Sequence, residues 1–327
     1  YAHPLQRAPH PFYMETIPAF EMIKFSITTM RGCFGGCSFC ALTVHQGKTI
    51  QSRSHRSILK EIEAVSRVKG FNGYISDIGG PSANMYALGC KNREAEVQCK
   101  KISCLFPGIC HNLDCNHRPL IDLLRKTRKI QGVKKTFIAS GVRYDLANKS
   151  KKFIAEIARH HVSGQLKVAP EHNHPAVLKV MRKPKIEEFE SFKKVFIEES
   201  KRAGLEQYVI PYFISAHPGC GIREQISLSE YLKKREIWPR QVQEFVPAPM
   251  TLAADIFHTG VDPITGKKIY RAVTSSERKA QRELMQYFKP ENRESIRRTL
   301  KAFGRADLIG HGKLIPRAFG RPRRKNR

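Results

Sequence analysis

An α/β fold is predicted for this 327-residue chain: six strand–helix units whose parallel strands curve into an open sheet or partial barrel. Three observations predict it. Short β-rich stretches alternate with segments of helical periodicity. Glycine, cysteine and charged residues gather just after the strands, where ligands collect in such folds. Finally, 41% of the residues are hydrophobic, enough for a real core, yet no apolar run reaches the roughly 18 residues of a membrane-spanning helix.

The elements follow in order. Pro4, Pro9, Pro11 and Pro18 make residues 1–20 an extended lead-in. Met22–Ile27 reads as the first strand and delivers the chain into a cysteine loop. Ile58, Leu59, Ile62 and Val65 recur at helical spacing and predict a helix over Ser57–Val68. Gly73–Gly79 is the second strand, ending in Gly79-Gly80-Pro81. A cysteine-rich insertion, residues 88–118, comes next, and a helix begins near Pro119. The third strand is Lys135–Ser140, with a helix over Lys151–His161. The fourth is Gln165–Pro170, with a helix over Ile186–Ala203 that lines Phe189, Phe192 and Phe196 on one face. The fifth is Gln207–Ser215, with a helix around Leu228–Lys234, and the sixth is Gln241–Val246. The organisation expected is a lead-in (1–20), a core (21–250) carrying the insertion, and a basic, partly helical C-terminal region (251–327) with a disordered tail.

The chemistry concentrates in Met30-Arg-Gly-Cys-Phe-Gly-Gly-Cys-Ser-Phe-Cys-Ala41. Three thiols on so short a loop, spaced C-x3-C-x2-C, suit three corners of a cubane iron–sulfur cluster, and the glycines let the backbone turn tightly around it. The fourth iron is then open to a small chelate. Zinc would also accept Cys33, Cys37 and Cys40 with His45, although structural zinc sites usually pair their ligands on two knuckles. Beyond the other strands stand Gly79-Gly80, Ser140 with Arg143, and Glu171-His172. Glycines there expose backbone to a ligand, Arg143 suits a carboxylate, and Glu171 suits ribose hydroxyls. Each has a plainer reading as a turn, a solvated charge or a salt bridge.

Taken together, Phe20-Glu-Met-Ile-Lys-Phe-Ser, the cysteine loop, Ile50-Gln-Ser-Arg-Ser, Ile75-Ser-Asp-Ile-Gly-Gly-Pro, Ile138-Ala-Ser-Gly-Val-Arg-Tyr-Asp, Val168-Ala-Pro-Glu-His and Ile210-Pro-Tyr-Phe-Ile-Ser-Ala-His-Pro-Gly219 resemble the YgiQ family of radical S-adenosylmethionine (SAM) proteins along nearly the whole chain. The resemblance implies a radical-SAM partial (β/α)6 TIM-like barrel. It places Cys33, Cys37 and Cys40 on a [4Fe-4S] cluster, with Phe39 beside the last cysteine and SAM on the open iron. It implies that Gly79-Gly80 hold the methionyl amino group and, by position at the strand ends, that Ser140, Arg143 and Glu171 contact the cofactor. Reductive cleavage of SAM would give a 5′-deoxyadenosyl radical for an unidentified substrate, with a flavodoxin- or ferredoxin-like electron donor. Two departures stand out. The family's domain before the barrel, similar to cobalamin-binding domains, is missing here, and the superfamily's Gly-Gly-Glu is Gly-Gly-Pro.

Charge and cysteine usage set the remaining expectations. Lys and Arg outnumber Asp and Glu by 58 to 29, a net +29, with 19 basic against 5 acidic residues from Thr265 to Arg327. Such a field draws polyanions, so an RNA-modifying radical SAM enzyme is one alternative and a non-catalytic, zinc-dependent nucleic-acid-binding module is another. Nine cysteines with no secretion signal and no initiator methionine read as a piece of a longer cytoplasmic protein with no membrane association. Five of the nine, Cys90, Cys99, Cys104, Cys110 and Cys115, fall within 26 residues beside His111 and His117. That group is a candidate for a second metal centre, set against buried free thiols.

Overall fold

The computed structural model describes residues 9–317, so the basic run Arg321–Arg327 and the start of the lead-in lie outside the described residues. Two compact units are present. One runs to Ala169 and takes in Pro184–Pro211; the other comprises Pro170–Lys183 and the chain from Tyr212 onward.

In the first unit the strands are short; Met30–Arg31 pairs antiparallel with Gln51–Ser52, and the other pairs are parallel. Ser26–Thr28 pairs with Asp77–Gly79 in the register Ser26↔Asp77, Ile27↔Ile78 and Thr28↔Gly79. Tyr74–Ile75 pairs with Lys135–Thr136, and the Ile78 amide donates to the Phe137 carbonyl at 2.8 Å, which sets the second strand beside the third. Helices cover them with apolar stripes. His55–Val65 buries Ile58, Ile62 and Val65, and Ser54 caps it by accepting from the Ser57 amide at 3.2 Å. Arg118–Thr127 buries Leu120, Leu123 and Leu124, Lys151–His160 buries Phe153, Ile154 and Ile157, and Ile186–Arg202 buries Phe189, Phe192 and Phe196. Burial of each such side chain contributes about 1.5–3 kcal/mol.

The second unit is organised differently. The end of strand Tyr208–Ser215 pairs in parallel with Gln243–Glu244 through Ile214↔Gln243 and Ser215↔Glu244. Helices Ile222–Lys234, Ser275–Met285 and Arg293–Ala302 share a core of Leu228, Leu232, Leu284, Met285, Ile296 and Leu300. Thr274 and Glu277 close a reciprocal capping box at the start of the second of these helices.

Several expected elements change. Met22–Ile27 is not one strand: Pro18–Ile23 is a helix with proline at its first position, where the ring fixes a helical φ, and only Ser26–Thr28 extends. The strand expected over Lys135–Ser140 ends at Thr136, because the Ala139 and Ser140 amides turn to the Asp77 carboxylate at 2.7 and 3.0 Å instead of a neighbouring strand. The helix expected from Leu228 begins at Ile222, where the Glu224 carboxylate accepts the Gly221 amide at 2.9 Å. Short helices over Leu42–Gln46, Arg93–Gln98, Tyr144–Ala147 and Pro175–Met181 add to the expected set. No helix among the described residues is long and apolar enough to cross a membrane.

Buried histidines tie stability to pH. Burial drives His172 down to about 3, with His174 and His217 adding to the shift. Burial likewise takes His217 and His117 to about 4. Their folded pKa values lie below the unfolded value of 6.5, so the unfolded chain binds more protons in acid. The stability these rings contribute is complete above pH 6.5 and declines as pH falls toward 4, each ring contributing a slope approaching ~1.4 kcal/mol per pH unit. Urea unfolding of the metal-free chain should therefore show a lower midpoint at pH 5.5 than at pH 7.5; equal midpoints would contradict the burial of neutral rings.

Candidate cluster and cofactor site

The cysteine loop leaves strand Ser26–Thr28 and is held from both sides. On one side the helix Leu42–Gln46 folds back: the Cys33 amide donates to the Gly47 carbonyl at 3.0 Å and the Thr43 hydroxyl to the Cys33 carbonyl at 2.8 Å. On the other, the insertion reaches in, with the Cys104 amide on the Phe34 carbonyl at 3.0 Å and the Ser103 hydroxyl on the Gly35 carbonyl at 2.7 Å. Gly32, at φ +93°, could not be any other residue, since a Cβ would stand 2.2 Å from the Thr49 carbonyl oxygen. The turn closes where the Cys40 amide meets the Cys37 carbonyl at 3.2 Å. Cys33, Cys37 and Cys40 are free thiols, half-buried, and Phe39 is half-buried between the last two. His45, the alternative zinc ligand, is exposed on its helix.

The ends of the next two strands meet this loop. Gly79 and Gly80 are packed too closely for side chains: a Cβ on Gly79 would fall 1.7 Å from Ser140 Oγ, and one on Gly80 would fall 2.8 Å from the Met30 carbonyl oxygen. The Gly79 carbonyl accepts the Thr29 amide at 2.8 Å, and the Gly80 amide donates to Ser140 Oγ at 3.3 Å. Ser140 Oγ also donates to Asp77 at 3.2 Å. Burial holds the Asp77 carboxyl above the usual carboxylate range, against the pull of the bonds from Ser140 and Ala139.

Arg143 is the charged centre of the arrangement. Its guanidinium forms a two-point ion pair with Asp145, Nε to Oδ1 at 3.0 Å and Nη2 to Oδ2 at 2.6 Å, and its remaining arm, Nη1, lies 3.4 Å from Cys37 Sγ. Although burial opposes the charge, Asp145 and Cys37 hold the guanidinium firmly protonated. Buried Asn84 clamps the Arg143 backbone, accepting its amide at 2.8 Å and donating to its carbonyl at 2.9 Å. Sequence reading missed Asp77, Asn84 and Asp145. The available signal was positional, since all three sit within six residues of a glycine pair or an arginine at a strand end.

Of the predicted cofactor residues, the first unit thus brings together Cys33, Cys37, Cys40, Phe39, Gly79, Gly80, Ser140 and Arg143. Glu171 belongs to the second unit. It ends strand Gln165–Glu171 in the left-handed region, at φ +70°, and its carboxylate lies 3.7 Å from Lys183 Nζ, both side chains being buried. His217, beside it in sequence pattern, is a buried turn residue whose Nδ1 lies 2.7 Å from the Pro218 carbonyl.

A loop of three thiols thus follows a parallel strand of an α/β fold, with a guanidinium on one sulfur. Residues 27–219 match the radical SAM superfamily, and the chain belongs to it. The YgiQ resemblance is borne out in turn: the UPF0313 protein YgiQ of Escherichia coli is 46% identical over 97% of this chain and 44% of its own length. The UPF0313 protein of Methanocella arvoryzae is 49% identical over 95% of this chain and 52% of its own. The chain thus spans about half the length of these relatives. Residues 240–325 match a domain of unknown function, DUF3362. Among solved structures, the cobalamin-dependent radical enzyme OxsB is similar at 11% identity with a TM-score of 0.48 over 88% of this chain and 51% of its own. The radical SAM methyltransferase TsrM of Kitasatospora setae is similar at 14% and 0.46, over 71% and 39%. Similarity at that level adds nothing to the assignment.

The Arg143–Asp145 pair yields a stability prediction. Both side chains are buried, so Arg143→Leu strands a carboxylate and should destabilise the chain by about 3–5 kcal/mol, whereas Arg143→Leu combined with Asp145→Leu should regain most of that loss. Urea titration of both variants checks this; equal losses in the two would show that the ion pair is not the source.

Proposed function

We propose that this chain carries the radical-generating part of a YgiQ-type enzyme, with Cys33, Cys37 and Cys40 each ligating one iron of a [4Fe-4S] cluster and SAM taking the fourth. The observation that carries the reading is the set of three half-buried thiols on one backbone-anchored loop with the Arg143 guanidinium 3.4 Å from Cys37 Sγ. The residues fit the group. Thiolates are the ligands a cubane requires, and a fixed guanidinium offsets part of their charge where burial alone pushes the Cys33 thiol up. When bound, the cluster and SAM supply one-electron cleavage of the sulfonium and a 5′-deoxyadenosyl radical.

The chain's own residues bind and orient. Gly79 and Gly80 bring strand-end backbone close against Met30 and Ser140, and a methionyl amino group would bind backbone carbonyls at this edge. Ser140, fixed by Asp77, presents a hydroxyl at the same edge. Arg143 serves Cys37 rather than a SAM carboxylate, because Asp145 takes its Nε and Nη2 and its Nη1 faces Cys37. A flavodoxin- or ferredoxin-like protein supplies the electron. After anaerobic reconstitution and reduction, the chain should convert SAM to 5′-deoxyadenosine and methionine, and Cys33→Ala/Cys37→Ala/Cys40→Ala should abolish it. Cleavage at the wild-type rate in that triple variant would overturn the assignment.

One observation favours RNA as the substrate class: the net charge of +29. Neutralising phosphates releases counterions, so affinity for RNA should fall steeply with salt. Deleting Arg317–Arg327 removes six basic residues and should flatten that slope; an unchanged slope would remove the tail from RNA binding.

A further inference from the structure

The insertion folds four of its five cysteines around one cavity. Cys90, Cys99, Cys104 and Cys110 line a space of about 260 Å3, together with Phe34, Leu113 and the lysines Lys48, Lys100 and Lys101. A single water needs only about 10–15 Å3 of such space, so the cavity has room for far more than one. The fifth cysteine and the neighbouring histidines are elsewhere. Cys115, His111 and His117 are not among the lining residues, and His117 is buried against Phe153 with ring centroids 4.8 Å apart.

Local bonds hold the four thiols in place. The Cys110 amide donates to the Cys104 carbonyl at 2.8 Å, the Leu113 amide to the Cys110 carbonyl at 2.9 Å, and Cys90 bridges to Leu113. Lys48 Nζ reaches Cys99 Sγ at 3.3 Å and the Lys101 carbonyl at 2.9 Å. The Lys101 amide and then Lys48 hold the Cys99 thiol below its ordinary range, while burial raises Cys104, with Cys110, Cys99 and Cys90 acting on it as neighbouring like charges. All four thiols line the same cavity. Among the described residues no three His, Cys, Asp or Glu side chains stand where they could hold a single metal ion, and this applies equally to Cys33, Cys37 and Cys40. A zinc ion draws four sulfurs to about 2.3 Å from one point. A cubane instead spreads its thiolates over separate irons and does not require them to converge on one point.

We propose that Cys90, Cys99, Cys104 and Cys110 hold a second [4Fe-4S] cluster, independent of the one at Cys33, Cys37 and Cys40 and, having four cysteines, without an open iron. Three lysines at the rim against the single carboxylate of Glu96 suit the net negative charge of a cubane with four thiolates. Phe34 belongs to both sites: its ring lines this cavity and its carbonyl accepts the Cys104 amide at 3.0 Å, while its neighbour Cys33 ligates the first cluster.

Iron and sulfide are measured after anaerobic reconstitution of the chain. The wild type should hold about eight irons, and Cys33→Ala/Cys37→Ala/Cys40→Ala about four, with a reducible cluster signal by electron paramagnetic resonance. Cys90→Ser/Cys99→Ser/Cys104→Ser/Cys110→Ser should hold about four, and Cys115→Ala should keep about eight. About four irons in the wild type with none in the Cys33 triple variant, or zinc in place of iron in that variant, would overturn the proposal. The first two counts decide the matter even if the fourfold serine variant fails to fold. Eight irons in a wild type that does not cleave SAM would count against the proposed function and leave this second site standing.

Discussion

Three thiols within eight residues would repel one another as cluster-ligating thiolates, and the constraint on which the proposed site depends is that the backbone must hold them apart while still facing one centre. No single element does this. The loop is pinned behind by Leu42–Gln46 through Gly47 and Thr43, and in front by Ser103 and Cys104 of the insertion. Gly32 and Gly36 take left-handed φ values at the two places where the backbone passes against Thr49 and Ile102. The cost of ordering such a loop is met by bonds to segments 10 to 70 residues away, so the loop and insertion are expected to order together.

Charge is managed by the same principle of fixed partners. Arg143 is buried with Asp145, and a buried ion pair by itself adds little to stability, since desolvation offsets the attraction. What the pair adds is orientation. With Asp145 on two nitrogens and Asn84 on its backbone, the guanidinium has one direction left for Nη1, and that direction is Cys37. On the proposed cluster, an N–H donor at the Cys37 sulfur would favour the more negative, reduced state, and Arg143 would position and tune.

The sequence made the candidate ligands legible and left their partners hidden, for a physical reason. Cys33, Cys37 and Cys40 lie on one loop, so spacing alone singles them out, and the Phe189, Phe192 and Phe196 stripe is local to one helix. Asp77 and Ser140 are 63 residues apart and Asn84 and Arg143 are 59 apart. Side-chain bonds over such separations leave no periodicity to read. The same cause shortened the third strand, whose amides found a side chain instead of a ladder. The first strand was misplaced because Met22 and Ile23, apolar enough for a core, are exposed on a one-turn helix started by Pro18. Apolar content reports the capacity for burial, and only packing decides whether it is used.

The proposed cluster would leave one iron for SAM, and such an iron would be directly observable. In reconstituted, reduced chain carrying the fourfold serine changes at Cys90, Cys99, Cys104 and Cys110, the electron paramagnetic resonance spectrum of the remaining cluster should change when SAM is added, because the amino and carboxylate groups alter the environment of the unligated iron. A spectrum indifferent to saturating SAM would contradict it.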